Sequence, residues 1–137
     1  MKKSPGFTLT ELLITLLLAG ILMAVALPSY RNFVLKSHRT EARSTLLDIA
    51  ARQERFVAQH NRYSLDLVSS NELNLGRTTS QEGYYTLSIT PGATLSINTS
   101  YLITATAIGN QIRDSHCLEF TYDSLGTKSS SPSLNCW

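Results

Sequence analysis

A single run of 21 apolar residues, Phe7 to Leu27, dominates what this chain can fold into, and it carries one charge, Glu11. As a helix rising 1.5 Å per residue it would extend about 31 Å, matching the roughly 30 Å hydrocarbon layer of a bilayer. The run is longer than the 7–15-residue core of a secretory signal, and the small residue Gly6 stands before it instead of after it. Cleavage after Gly6 would therefore remove only Met1 to Gly6 and leave the whole span on the mature protein. A carboxylate inside such a span costs about 2.5–3.5 kcal/mol on insertion scales. Glu11 thus demands a partner, and the expectation is that it comes from outside the chain.

At 137 residues the chain has room for one modest domain, and roughly 110 residues remain once the apolar run is set aside. Twelve basic side chains face ten acidic ones, and losing Lys2 and Lys3 with the leader would make the count even. The basic balance is therefore partly a property of the leader and is not a nucleic-acid signal. Between Arg31 and Arg62 seven bases face Glu41, Asp48 and Glu54. After Tyr63 the balance reverses, with Arg77, Arg113 and Lys128 opposed by six acids. A basic stalk joined to an acidic head would favour head-to-stalk packing between copies.

Catalysis is not expected. His38, His60 and His116 are not spaced as metal ligands, and there is no Gly-rich phosphate loop or Ser–His–Asp pattern. No cofactor or metal is implied. Cys117 and Cys136 form an even pair near the end of an exported chain, which points to a disulfide. Closing a loop of that length would contribute about 3 kcal/mol.

The apolar run does not read as the end of its helix. Pro28 removes a backbone donor and crowds the carbonyl of Ala24, while Gly20 is a weak helix former. The Gly20–Pro28 stretch is thus the part expected to kink or melt in a crowded assembly. Beyond it, Ala42, Leu46, Ile49, Ala50, Gln53, Phe56 and Val57 recur with helical spacing and predict an amphipathic helix to about His60. Asn61 to Glu82 breaks periodicity and reads as a loop with one short turn near Glu72–Leu75. Alternating residues then predict strands around Tyr85–Ile89, Tyr101–Ala107 and Cys117–Tyr122, separated by Pro91-Gly92, Gly109-Asn110 and Asp123–Gly126. Ser129-Ser130-Ser131-Pro132-Ser133 reads as flexible loop. Asn98-Thr99-Ser100 matches the N-glycosylation tripeptide, a pattern common by chance. The expected class is α+β: a long N-terminal helix packed on an antiparallel sheet of about four strands with a C-terminal disulfide loop. The boundaries read as leader 1–6, span 7–28 and globular domain 29–137.

The opening Lys2-Lys3-Ser4-Pro5-Gly6-Phe7-Thr8-Leu9-Thr10-Glu11 resembles the N-terminus of type IV pilins of the IVa subclass. Arg39-Thr40-Glu41-Ala42, Asn61-Arg62-Tyr63, Cys117-Leu118-Glu119-Phe120-Thr121 and the terminal Cys136-Trp137 look like the minor pilin PilE and its relatives. The resemblance implies a prepilin-peptidase cut between Gly6 and Phe7, N-methylation of Phe7, and a Glu11 that sets subunit register. It implies a non-enzymatic subunit of a type IV pilus, serving pilus assembly and pilus-dependent motility or adhesion. Its expected partners are other pilins through the N-terminal helix, the prepilin peptidase and the inner-membrane assembly machinery. The subunit would sit single-pass in the inner membrane and then in the extracellular pilus of a Gram-negative bacterium. Two alternatives stay open: a DNA-binding pilin for natural transformation, and a type II secretion pseudopilin. DNA is the less favoured partner, since the head offers only Lys128, Arg113 and Arg77 for DNA or surface contact.

Overall fold

The computed structural model describes residues 6–137; the first five residues of the expected leader lie outside the described residues. The chain divides into two compact units, Met1–Val34 and Leu35–Trp137. One helix, α1 (Leu9–His60), supplies nearly all of the described first unit and opens the second. Four strands follow: β1 (Tyr85–Pro91), β2 (Tyr101–Ala107), β3 (Cys117–Asp123) and β4 (Lys128–Pro132).

In the first unit the side chains of 6–33 are exposed. Leu, Ile, Val, Met and Phe on every face of a helix is the pattern of a segment whose solvent is lipid or other protein. The helix assignment continues through Pro28.

In the second unit the expected apolar stripe is the buried face of α1. Ala42, Leu46, Ile49, Ala50, Gln53 and Phe56 are all buried, and Thr45 joins them. Val57, assigned to the same stripe, is only half-buried. The helix ends where Asn61 adopts a left-handed conformation (φ 53°) and its N–H bonds the Val57 carbonyl at 2.9 Å, as asparagine after a last helical turn can.

The sheet is an antiparallel meander in the order β1-β2-β3-β4. Tyr85 and Leu87 of β1, Tyr101, Ile103, Ala105 and Ala107 of β2, and Phe120 of β3 close over the helix stripe as one core. Gly92 follows β1 where a Cβ would come within 2.9 Å of Ser100 and of the Tyr101 carbonyl, so the position has no room for a side chain.

Two features depart from the sequence reading. Strict alternation puts Cys117 and Phe120 on opposite faces, yet both are buried. The β3–β4 register shifts between Cys117 and Glu119, and the extra residue of such a bulge flips the parity of the strand. The second departure is β4 itself, which occupies the serine tract read as loop. Ser130 is buried there and bonds the Ser133 carbonyl at 2.6 Å, while the Cys136 N–H bonds Ser130 Oγ at 3.3 Å. Together with the Cys117–Cys136 disulfide, these contacts supply the order that serine's weak strand propensity does not.

Candidate nucleic-acid interface

A protein that grips nucleic acid needs cations free to meet phosphates, preferably beside aromatic rings. Residues 35–137 hold nine bases and nine acids, so any such site must arise from local separation of charge. Three bases are already committed. Arg39 forms a bidentate pair with Asp114, both bonds at 2.7 Å, and the pairing raises the Arg39 pKa. Arg52 pairs with Asp48 at 3.0 Å, and Arg62 with Glu72 at 3.0 Å.

Arg52, Arg55 and His60 lie on the last turns of α1, and Arg62 follows just beyond its end. Arg52, Arg55, Phe56, Gln59 and His60 line one wall of a cavity of about 290 Å³, and Ser70, Asn71, Glu72, Leu73 and Asn74 line the other. His60 stacks on Phe56 with ring centroids 4.1 Å apart, and the Arg62 guanidinium lies 5.1 Å from the centre of the same ring. Arg55 is exposed and forms no ion pair among the described residues.

The wall opposite the helix is held by side chains from inside the core. Gln53 Nε2 donates to the Ser64 carbonyl at 2.6 Å, and the Ser64 N–H donates back to Gln53 Oε1 at 2.9 Å. The Ser64 hydroxyl donates to Glu72, and with Arg62 it holds the Glu72 carboxyl below its ordinary pKa. Arg52 adds bonds to the Leu73 carbonyl at 3.0 Å and the Asn74 carbonyl at 2.7 Å. The result is a polar recess that joins the Arg52 and Arg55 guanidiniums, the Glu72 carboxylate and two stacked rings, with Arg55 in no ion pair among the described residues.

The three bases singled out in the sequence do not come together. Lys128 opens β4 on one sheet edge and sits 5.5 Å from the centre of the Trp137 ring. Arg77 precedes the Thr79–Thr86 bridge along β1, the opposite edge, and is partly buried. Arg113 is exposed in the turn between β2 and β3. Counting bases only after Tyr63 missed the Arg52, Arg55, His60 and Arg62 group. Its signal was present, since Arg52, Arg55, Phe56 and His60 are spaced three and four apart along a helix.

In the stem, Gly6 and Phe7 are exposed, and a side chain at Gly20 would meet nothing within 4 Å. Glu11 does have a partner within the chain. Its Oε2 accepts from the Thr8 hydroxyl at 2.7 Å and the Thr8 N–H at 3.0 Å, while the Glu11 N–H reaches Thr8 Oγ1 at 3.3 Å. That corrects the expectation of a partner found only outside the chain. Among the described residues, no group of three or more His, Cys, Asp or Glu converges as a metal site.

Comparison with known proteins adds two family matches. Residues 1–27 match the prokaryotic N-terminal methylation motif. Residues 28–121 match the family described as "Type IV minor pilin ComP, DNA uptake sequence receptor". The chain belongs to the ComP family of type IV minor pilins. Of the expected likeness to PilE and its relatives, the comparisons show the coarser part, a type IV pilin carrying the methylation motif. Like other pilins it is a structural, non-enzymatic subunit, resident in the inner membrane and then in the pilus.

Curated relatives match over short stretches. The type IV major pilin PilA of Myxococcus xanthus is 37% identical over 62 residues, covering 45% of this chain and 28% of that protein. The fimbrial protein EcpC of Eikenella corrodens is 51% identical over 37 residues, covering 27% and 24%. The chain thus spans about a quarter of the length of these relatives. A solved type IV pilin from Shewanella oneidensis shares the fold with a TM-score of 0.53, at 22% identity, over 75% of this chain and 97% of that one. The ComP match ends at Thr121, before β4 and Lys128.

Proposed function

We propose that this ComP-family pilin receives DNA at the pilus surface for natural transformation, and that Arg55, in the recess beside Phe56 and His60, contacts the phosphate backbone. The reading departs from the one favoured on sequence grounds, a structural minor subunit. The observation that carries it is the match of 28–121 to a family described as a DNA uptake sequence receptor. The exposed Arg55 guanidinium, in no ion pair among the described residues, and the stacked Phe56 and His60 rings support the location. Lys128 over Trp137 offers a second cation with an aromatic face.

The test is a gel shift of residues 29–137 with duplex DNA at two salt concentrations. Each phosphate contact lowers the slope of log K against log salt by about 0.9. The expectation is salt-dependent binding, with Arg55→Ala weakening all sequences alike and reducing the slope by about one contact. Absence of salt-dependent binding at micromolar protein refutes the receptor reading. It would leave a purely structural minor pilin, which the even charge of 35–137 favours.

Assembly is the setting for this activity. In this proposal residues 1–6 are the leader, the prepilin peptidase cuts between Gly6 and Phe7, and Phe7 is N-methylated. Residues 7–28 are the membrane and filament-core half of the helix, and 29–137 the globular domain. Glu11 sets register against a neighbouring subunit, and the Gly20–Pro28 stretch loosens on packing. A bulky residue in place of Gly6 should leave the leader attached; a mature protein of normal mass would contradict the cut.

A further inference from the structure

A second cavity, of about 510 Å³, opens between α1, the start of β2 and the β3–β4 turn, and it shares no lining residue with the Arg55 recess. That volume lies within the roughly 300–1,000 Å³ of small-molecule sites. Its chemistry is the reverse of a phosphate site. Among the described residues Glu54 is the only charged one that lines it, and Tyr63, Tyr101 and Tyr122 surround it with Leu47 and Leu125. The tyrosines are held in place by the fold. Tyr101 is 1% exposed, and its ring meets Tyr63 edge to face at 4.7 Å. The Tyr63 N–H donates to the Ile97 carbonyl at 3.2 Å, and the Gln53 clamp on Ser64 holds the next residue. Tyr122 reaches across the turn, with Oη 3.6 Å from where a side chain on Gly126 would begin.

The Tyr63 and Tyr101 hydroxyls have no hydrogen-bond partner among the described residues. Burial first, and the Glu54 carboxylate second, raise the pKa of both, so both stay protonated and neutral. A hydroxyl as deeply placed as that of Tyr101 is costly to leave unpaired, and the cavity is where a partner can reach it. The lining narrows what that partner is. Glu54 repels anions, which excludes phosphate and carboxylate groups. Ring faces and a carboxylate attract a cation. A quaternary ammonium brings charge but no donor for the phenol oxygen, whereas a primary ammonium brings charge and three donors. We propose that this cavity binds a small primary alkylammonium ion. Its head sits between Glu54 and the Tyr101 hydroxyl, beside the Tyr63 and Tyr122 rings, and its alkyl stem lies on Leu47 and Leu125.

The test is an NMR titration of the full-length pilin in non-ionic detergent with ring-labelled tyrosine. The chain has six tyrosines, of which Tyr30, Tyr84 and Tyr85 lie outside the cavity lining and serve as references. The probes are butylamine, butyltrimethylammonium and butanol near pH 7, where the amine is protonated as a lysine side chain is. Butylammonium should shift Tyr63, Tyr101 and Tyr122 saturably, with a Kd on the order of 1 mM. The quaternary ion should bind roughly fivefold more weakly and butanol roughly tenfold more weakly. Glu54→Gln, at an exposed position, should weaken butylammonium roughly fivefold. Tyr101→Phe keeps the buried ring and should abolish the preference for the primary over the quaternary ion. Unchanged Tyr30, Tyr84 and Tyr85 signals show that each variant keeps its fold. No saturable shift of the three lining tyrosines overturns the proposal. So does butanol binding as well as butylammonium, undiminished affinity in Glu54→Gln, or a primary-ion preference that survives Tyr101→Phe. None of these outcomes involves DNA, so the receptor reading stands or falls separately.

Discussion

Gln53 is the buried side chain that pins the loop after α1, and replacing it gives a sharp test. Gln53 and Ser64 are both fully buried, and Gln53 satisfies the Ser64 carbonyl and N–H at 2.6 and 2.9 Å. Gln53→Leu keeps the volume but orphans two buried backbone groups, each costing about 1–3 kcal/mol. The added apolar burial of leucine offsets part of that, leaving a net loss of about 3 kcal/mol. Against a typical total of 5–15 kcal/mol the loss is large. Urea unfolding of residues 29–137 reads it directly. With a slope of about 1–3 kcal/mol per M, the midpoint should fall by at least about 1 M.

Gln53→Glu separates the two bonds. A carboxylate still accepts from the Ser64 N–H but faces the Ser64 carbonyl with no proton to donate. Burial beside that carbonyl raises its folded pKa above the unfolded value, because only the protonated acid can make both bonds. Its stabilising contribution is therefore complete below the unfolded pKa and is lost as pH rises through the folded one. The expected result is that Gln53→Glu gains on Gln53→Leu as pH falls from 7 toward 4. A Gln53→Leu midpoint within about 0.3 M of wild type, or a pH-independent gap between the variants, would refute the reasoning.

Three other outcomes follow from the same geometry. Asp114→Ala strands the largely covered Arg39 guanidinium and should cost about 3 kcal/mol in chemical unfolding, whereas an exposed pair would lose under 1. Reducing the Cys117–Cys136 bond should add the mass of two hydrogen atoms and lower stability by about 3 kcal/mol, with β4 amides losing hydrogen-exchange protection first. The Glu72 pKa is depressed by the Ser64 hydroxyl and Arg62, so its contribution is present above the unfolded carboxyl value and lost as pH falls through the folded one. Glu72→Gln should be less stable than wild type near pH 7, and pH-dependent unfolding should show the gap closing in acid.

Much of this architecture lies in repeating patterns. The buried face of α1 was legible from Ala42 to Phe56 because a helix brings every third and fourth residue to one side. The interiors of β1 and β2 were legible from simple alternation for the same reason. Thr8-x-x-Glu11 has the spacing of a capping box, and the two residues bond each other at the start of α1. Cys117 was misplaced because a bulge leaves no trace in alternation, and β4 because three serines carry no strand signal until β3 and the disulfide hold them. The candidate interface was missed for a different reason. Whether a base is free or spent depends on acids far off in the chain, as Arg39 with Asp114 and Arg62 with Glu72 demonstrate.

By itself, then, the sequence determined the membrane-length span, the helix that leads from it, the class of fold and the pairing of its two cysteines. Each follows from spacing or composition within a short window, where local sterics and apolar burial act. Only the tertiary structure decided which cations remain available, which loop is pinned to Gln53, and that a serine tract closes the sheet. Those outcomes turn on pairings between separate elements, up to 75 positions apart for Arg39 and Asp114, which periodicity cannot encode because their energy exists only after the core has formed.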